Sequence, residues 1–264
     1  MRTTCIQRLL LALMLAVTLP GVAETPAVVQ LVLIIDDVGN HRQRDLRALQ
    51  LPGRINLAIL PHTSNATTIA NMASAAGKEV LLHAPMSTVD NHHLGPGALT
   101  SAMTELDFRA TLAESLRSTP HVRGVSNHMG SALTEQVEPM SWLMEELDAR
   151  GLYFVDSRTS VNTVAAATAR QHRIPVLSRQ VFLDNDRSPE AIAERFEEFL
   201  RRGREQGIAV AIGHPHSNTL DYLQQVLPEL EARGYQLLWI SEALHTERYN
   251  YSRLPSNENH TEQP

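Results

Sequence analysis

Seven apolar, strand-like runs in this chain each end in an ionisable or amide side chain, and the segments between them carry apolar residues at helical spacing. Leu31 to Ile35 leads into the carboxylate pair Asp36-Asp37, Ile55 to Leu60 into His62, Val80 to Leu82 into His83, and Val122 to Ser126 into Asn127-His128. Leu152 to Val155 leads into Asp156, Val181 to Leu183 into Asp184, and Ile208 to Ile212 into His214 and His216. An eighth run, Gln236 to Ile240, ends at Ser241-Glu242. In folds built from parallel strands, loops at the carboxyl ends converge on one face, so residues far apart in sequence meet there. Eight alternations favour an α/β fold of the (β/α) barrel type, complete or distorted, over an open sheet. Histidines and carboxylates meeting in one cleft point to a metal.

The helical spacing predicts helices across Ser64 to Ala76, through Leu112 and Leu116, and through Trp142, Leu143 and Leu147. Further helices are expected across Val161 to Gln171, Pro189 to Gly203 and Thr219 to Arg233. Ser188-Pro189-Glu190 supplies a cap, a first-turn proline and an acidic start for the Pro189 helix. Gly77, Gly151, Gly207 and Gly234 stand where helices stop before the next strand. The long connection from Pro85 to Leu106, with Gly95-Pro96-Gly97 inside it, is expected to border or cover the cleft.

Residues 1 to 23 read as a secretory signal: Arg2 and Arg8, an apolar stretch from Leu9 to Leu19, then the small residues of Gly21-Val22-Ala23. An uncleaved anchor is the competing reading, but that stretch falls short of the roughly 20 apolar residues that span a bilayer. The only cysteine, Cys5, would leave with the signal. Removing two arginines takes the net charge from −6 to −8, so nothing suggests a nucleic-acid partner. A cysteine-free exported chain fits the bacterial periplasm. A short linker, 24 to 29, then precedes one domain over 30 to 245, and the polar stretch 246 to 264 reads as a disordered tail.

Asp36 and Asp37 would repel one another unless a cation or a shared proton relieved them. A solvated turn at Asp-Asp-Val-Gly-Asn is the plainer reading of that segment alone. His83 and His128 are candidate metal ligands, since neutral imidazole is a common ligand of zinc and one carboxylate with two imidazoles is a catalytic zinc pattern. His62, after Leu60-Pro61, and the loop pair His92-His93 are left out of the shell. Gly213-His214-Pro215-His216 places two imidazoles on a rigid turn, with His214 the candidate general acid and His216 in support. Asp156 and Arg158 are expected to pair and orient the metal ligands, an ordinary salt bridge being the alternative. Asp184, in Asp-Asn-Asp, reads equally as a turn-rich loop. The H-E-x-x-H, G-x-x-x-x-G-K-[ST] and G-x-G-x-x-G signatures are absent, and Gly124-Val125-Ser126-Asn127-His128 lacks the closing glycine of a nucleophile elbow.

Six motifs in order, Ile-Ile-Asp-Asp-Val-Gly, Leu-Leu-His-Ala-Pro-Met, Gly-Pro-Gly-Ala-Leu, Ser-Asn-His-Met-Gly-Ser, Phe-Val-Asp-Ser-Arg-Thr and Ile-Gly-His-Pro-His, resemble the divergent polysaccharide deacetylase family of bacterial envelope proteins. The resemblance spans Gln30 to Leu244. It implies an irregular, often seven-stranded (β/α) barrel, akin to esterases that remove acetyl groups from chitin, peptidoglycan and xylan. It also implies Asp36 as base, Asp37 as metal ligand and His214 as acid. The metal motif of those esterases places a second histidine four residues after the first, where this chain has Ser87, so His128 is taken as the second imidazole. Their Arg-x-Pro-Tyr motif is replaced by Asn127-His128-Met129-Gly130.

The resulting expectation is an exported hydrolase that removes acetyl groups from an envelope or extracellular polysaccharide. It would use one divalent metal, zinc by the ligand set, held by Asp37, His83 and His128. Two alternatives stand beside it: a non-catalytic periplasmic glycan-binding or partner-docking protein on the same barrel, and a metal-dependent hydrolase of another ester or amide. The broken metal motif and an aromatic content of 5% motivate the former.

Overall fold

In the computed structural model, which describes the backbone of residues 28–252 and the side chains of 28–246, β1 (Val29–Val38) shows how the layers are built. Leu31, Leu33 and Ile35 pack outward in a cluster with residues of the surrounding helices, whereas Val32 and Ile34 belong to a separate interior cluster. The two-residue period of a strand requires this division. The same division recurs in β3 (Glu79–Met86), where Leu82 packs outward and Leu81 inward, and in β8 (Ile208–Gly213), where Ala211 packs outward and Ile212 inward. The next inward position is polar in each case: Asp36 on β1, His83 on β3 and His214 just past the end of β8.

The other strands are β2 (Ile55–Ile59), β4 (Val122–Met129), β5 (Tyr153–Asp156), β6 (Val176–Ser178), β7 (Val181–Phe182) and β9 (Tyr235–Leu237). All pairings are parallel, in the order β6-β5-β4-β3-β2-β1-β8-β7, with β9 beside the start of β1. The two ends of that path are consecutive in the chain. Between them the Arg179 amide donates to the Asp156 carbonyl (3.0 Å), and the next amide, Gln180, donates to the Val210 carbonyl (2.9 Å). One bent run therefore leaves β5 and joins β8, curling the sheet into an irregular barrel. The family-type fold expected from the motifs is the one observed.

The helices are α1 (Arg42–Leu49), α2 (Ala66–Ala75), α3 (Glu105–Ser118), α4 (Val137–Asp148), α5 (Ala165–Gln171), α6 (Pro189–Gln206), α7 (Ser217–Val226) and α8 (Ile240–Ser252). Ser188 caps α6 by accepting the Ala191 amide, and Gly207 ends it in the left-handed region at φ 79°. Gly124 is required by packing, because a Cβ there would lie 2.1 Å from the Tyr153 ring inside the barrel.

Several expectations change. The eighth run yields only a three-residue strand beside β1, and Ile240 already begins α8, whose Ile240, Ala243 and Leu244 join the interior cluster. Helix α8 continues to Ser252, so the first part of the stretch read as a tail is helical, because it extends a helix anchored by that apolar face. The rest of the tail, the leader and most of the linker lie outside the described residues. No helix among the described residues is long and apolar enough to cross a membrane. The long connection after β3 is pinned at its neck: Leu99 is fully buried, donates to the Pro85 carbonyl (2.8 Å) and accepts from the Ser87 amide (3.0 Å).

Candidate active site

A β-bulge brings the two carboxylates together. Between Ile35 and Val38 the register of β1 advances three residues against two of β2, and Asp37 takes up the extra residue at φ 58°. Adjacent strand side chains ordinarily face opposite ways; a left-handed residue in a bulge removes that constraint. His83 Nε2 consequently lies 3.5 Å from Asp36 Oδ2 and 3.4 Å from Asp37 Oδ1. Asp36 is 2% exposed and Asp37 34%.

The two imidazoles arrive from neighbouring strands. His83 Nδ1 meets the Ser126 hydroxyl at 2.8 Å inside the barrel, so the other ring nitrogen turns to the carboxylates. Ladder pairing runs on through Ala84↔Asn127, Pro85↔His128 and Met86↔Met129, so both histidines lie within strands rather than after them. Their strands outlast the apolar runs because the inward side here faces the site and not the core. His128 Nδ1 comes within 2.8 Å of Asp37 Oδ1, and the His83 and His128 rings meet edge to face. One ligand atom from each of Asp37, His83 and His128 falls within 4.8 Å of the others.

His214 faces the same point from β8. Its Nε2 is 4.0 Å from Asp37 Oδ2, while Nδ1 meets Asp184 Oδ1 at 2.8 Å. Asp184 also accepts the His214 amide (2.7 Å) and the Thr219 hydroxyl (2.8 Å), which fixes its orientation. Phe182 stacks on the His214 imidazole with 9° between the rings, and the Arg179 guanidinium lies 4.1 Å from the Phe182 ring centroid. His216, at the start of α7, sits beside His214.

The expected Asp156–Arg158 ion pair is not formed. Asp156 accepts the Arg158 backbone amide (2.8 Å) and the Thr163 hydroxyl (3.1 Å), bracing a turn in which Arg158 has φ 49° and is exposed. Arg179 fills the cationic position instead, donating to the Ser157 carbonyl (2.6 Å) and the Arg158 carbonyl (2.8 Å). Asn127 ties the loops together through the Ser157 amide and the Met129 carbonyl. His62 turns to Ser115 of α3, and His92 stays in the loop near Asp90, outside the cluster.

Burial raises the Asp36 carboxyl above the usual range, against the opposing pull of His83. Burial acts the same way on Asp37, but there the His128 and His83 imidazoles outweigh it and hold the carboxyl well below that range. Burial disfavours a charged His214, yet Asp184 prevails and its imidazole is pushed up to about 9. Asp184 is correspondingly lowered, its burial outweighed by His214. His216 is lowered by burial and by the cation of Arg187.

These residues fit a divalent cation. Asp36 Oδ1 and Asp37 Oδ1 are buried and receive no hydrogen bond, although His128 Nδ1 is only 2.8 Å from the latter. An approach this short without a hydrogen bond suits two atoms that share a cation. A buried carboxylate oxygen without a partner is otherwise costly. The metal groups also include Asp184, His214 and His216, but the oxygens of Asp184 are already engaged by His214 and Thr219. Beside Asp37 and His128 a cavity of about 440 Å³ opens between the start of α1, the end of β2, the loop at His93–Pro96 and His216.

Residues 33–244 match the family described as divergent polysaccharide deacetylase. The chain belongs to that family. It is 32% identical over 228 residues to the uncharacterized protein YibQ of Escherichia coli K12, covering 86% of this chain and 71% of that one. Among solved structures it resembles the uncharacterized protein ATU2773 of Agrobacterium tumefaciens C58, with a TM-score of 0.78, 19% identity, and coverage of 81% and 89%. It also resembles BA3943 of Bacillus anthracis, a CE4 family pseudoenzyme, with a TM-score of 0.52, 17% identity, and coverage of 83% and 66%. At these identities the structural likenesses show the fold alone.

Sequence reasoning undervalued Asp184 and missed Arg179, Phe182, Ser126 and Thr219. Asp184 carried a legible signal, since it ends an apolar run as the other site residues do. Arg179 had none, because the strand bend that brings it inward is set by tertiary pairing.

Proposed function

We propose that this protein is a metal-dependent hydrolase that removes acetyl groups from a polysaccharide. The observation that supports this most is the convergence of Asp37, His83 and His128 beside a buried Asp36 and an Asp184-held His214. Asp37, His83 Nε2 and His128 Nδ1 would hold a divalent cation, with zinc the ion that suits two imidazoles and a carboxylate. When bound, such an ion polarises an acyl carbonyl and raises the acidity of water.

Asp36, raised by burial, is suited to accept the proton of the attacking water as general base. His214, kept protonated by Asp184, presents Nε2 to the site and delivers a proton to the departing amine or alkoxide. Water adds to the acyl carbon, the bond from that carbon to the glycan breaks, and acetate leaves with the free sugar. The binding-module alternative rests on the interrupted metal motif and the low aromatic content, and the approach of His128 to Asp37 from the neighbouring strand favours the hydrolase reading against the first of these. An exported, periplasmic location is part of the proposal and rests on the pattern of residues 1–23.

The test is metal content by plasma mass spectrometry and acetate release from acetylated glycans, for the wild type and for Asp37→Ala and His128→Ala. About one zinc per chain, lost in both variants together with acetate release, is expected. A folded wild type that takes up no divalent metal would overturn the reading.

A further inference from the structure

The cavity beside the metal-ligand cluster differs in charge from the protein that surrounds it. The chain as a whole has 29 acidic against 23 basic residues. Of the residues lining this cavity, however, Asp37 is the one carboxylate, and it belongs to the cluster. Facing it are Arg44, His41, His93 and His216. Arg44 is exposed and pairs with no carboxylate among the described residues, although other arginines of this surface, such as Arg47 with Asp221, do. Arg187 and Arg44 both lie near enough to His216 to act on it as like charges, against the opposite charge of Asp184.

What is missing bears equally on the substrate. Neutral sugars are gripped by stacking on aromatic faces and by carboxylates that accept hydroxyl hydrogens. No Phe, Tyr or Trp lines this outer cavity, Phe182 lining only the adjoining pocket over the cluster, and its lone carboxylate is Asp37 of that cluster. A free guanidinium is instead a donor-only group, which an anion satisfies better than a hydroxyl, and each imidazole beside it can add one ring N–H. The distance from the cluster is also short, because Asp37 and His128 line the same cavity as Arg44.

Taking the glycan deacetylase reading as its basis, we infer that the substrate is an acidic glycan, whose acetylated sugar lies next to one bearing a carboxylate or phosphate, and that Arg44 recognises this anion. His41, His93 and His216 complete the donor surface around it. Arg44 is a specificity residue and touches none of the reacting atoms.

The experiment is titration calorimetry of the zinc-loaded protein with three matched ligands: an acetylated glucuronate-containing tetrasaccharide, its carboxyl-reduced neutral counterpart, and a phosphorylated counterpart. Acetate release is followed on the same compounds. Wild type is expected to bind at least one anionic ligand about tenfold more tightly than the neutral one. Arg44→Gln should abolish that preference while leaving affinity for the neutral ligand and thermal stability unchanged, and Arg44→Lys should restore part of it. Which anionic ligand is preferred distinguishes carboxylate from phosphate. Equal affinity for all three, no binding of any, or a preference that survives Arg44→Gln through the bound zinc would each overturn the inference. Preferential binding without acetate release would leave the inference standing and remove the deacetylase reading; acetate release without preference would do the reverse.

Discussion

Below the level of Ile34, Leu81, Val155 and Ile212 the barrel interior is apolar and closed by Leu238, Ile240, Ala243 and Leu244 from the end of the chain. Its buried carboxylate, Glu79, is fully served: the Tyr153 hydroxyl donates at 2.6 Å, the Ser241 amide at 3.0 Å and the Ser241 hydroxyl at 2.5 Å. One inward position further on stand Asp36, His83 and His214, and there two buried carboxylate oxygens receive no hydrogen bond. The lower acid is satisfied by the protein, so it contributes to stability. The upper acids keep oxygens that the protein does not satisfy, which the proposed function assigns to a cation and a substrate. Burial is common to both ends; what separates Glu79 from Asp36 and Asp37 is whether the fold itself completes their hydrogen bonds.

That contrast can be broken from the top first. Asp37→Ala should reduce acetate release to background and eliminate stoichiometric zinc, as measured by plasma mass spectrometry. Asp36→Asn is expected to lower kcat by about 10²–10⁴, the span typical of general acid–base catalysis, while zinc content stays at wild-type level. An Asn variant that turns over normally would remove Asp36 from the role of base.

The lower half should answer in stability. Ile34→Ala opens a cavity in the fully buried interior cluster and should cost about 2–5 kcal/mol in denaturant unfolding. A variant that unfolds like the wild type would show that the lower interior is not the packed core described above.

The Asp184 and His214 pair lies on the boundary and has a pH signature. The His214 imidazole is raised from its ordinary 6.5 to about 9. A raised group stabilises the fold fully below its unfolded value and loses that contribution as pH rises through its folded one. The stabilisation is therefore complete below about pH 6.5 and gone above about pH 9. Asp184, being lowered, loses its share only at acid pH. Melting temperatures of the metal-free wild type should fall between about pH 6.5 and 9, and fall much less there in Asp184→Asn, which leaves only Asp36 and Asp37 to raise His214. The smallest effect is expected for Tyr153→Phe, which leaves Glu79 to Ser241 and should cost about 1 kcal/mol with activity intact.

Much of this was legible in the chain. The strand-helix alternation, the convergence of strand ends and the residues Asp36, Asp37, His83, His128 and His214 all follow from where apolar runs stop. The strand boundaries did not follow, because an apolar run stops where a strand begins to face the site, several residues before its ladder does, as His83 and His128 show. Helix α1 escaped detection since only Asp45, Ala48 and Leu49 of Arg42–Leu49 are buried, too few to show a period. The Asp156–Arg158 pair was misjudged because neighbouring residues in a turn can point apart, and a backbone amide took the carboxylate instead.

Side-chain order along the chain is enough to determine which residues face inward on each strand, since a two-residue period follows from covalent geometry alone. The order of residues was therefore enough to give the fold class and to bring Asp36, Asp37, His83, His128 and His214 to one face of the barrel. The tertiary structure decided what depends on distant partners. The bulge that turns Asp37 beside Asp36 needs β2 as its reference, the inward placement of Arg179 needs β5 and β8, and the cationic cavity at Arg44 needs α1, α7 and the His93 loop to meet. Local periodicity carries no information about such meetings, because their geometry is fixed only when the barrel closes.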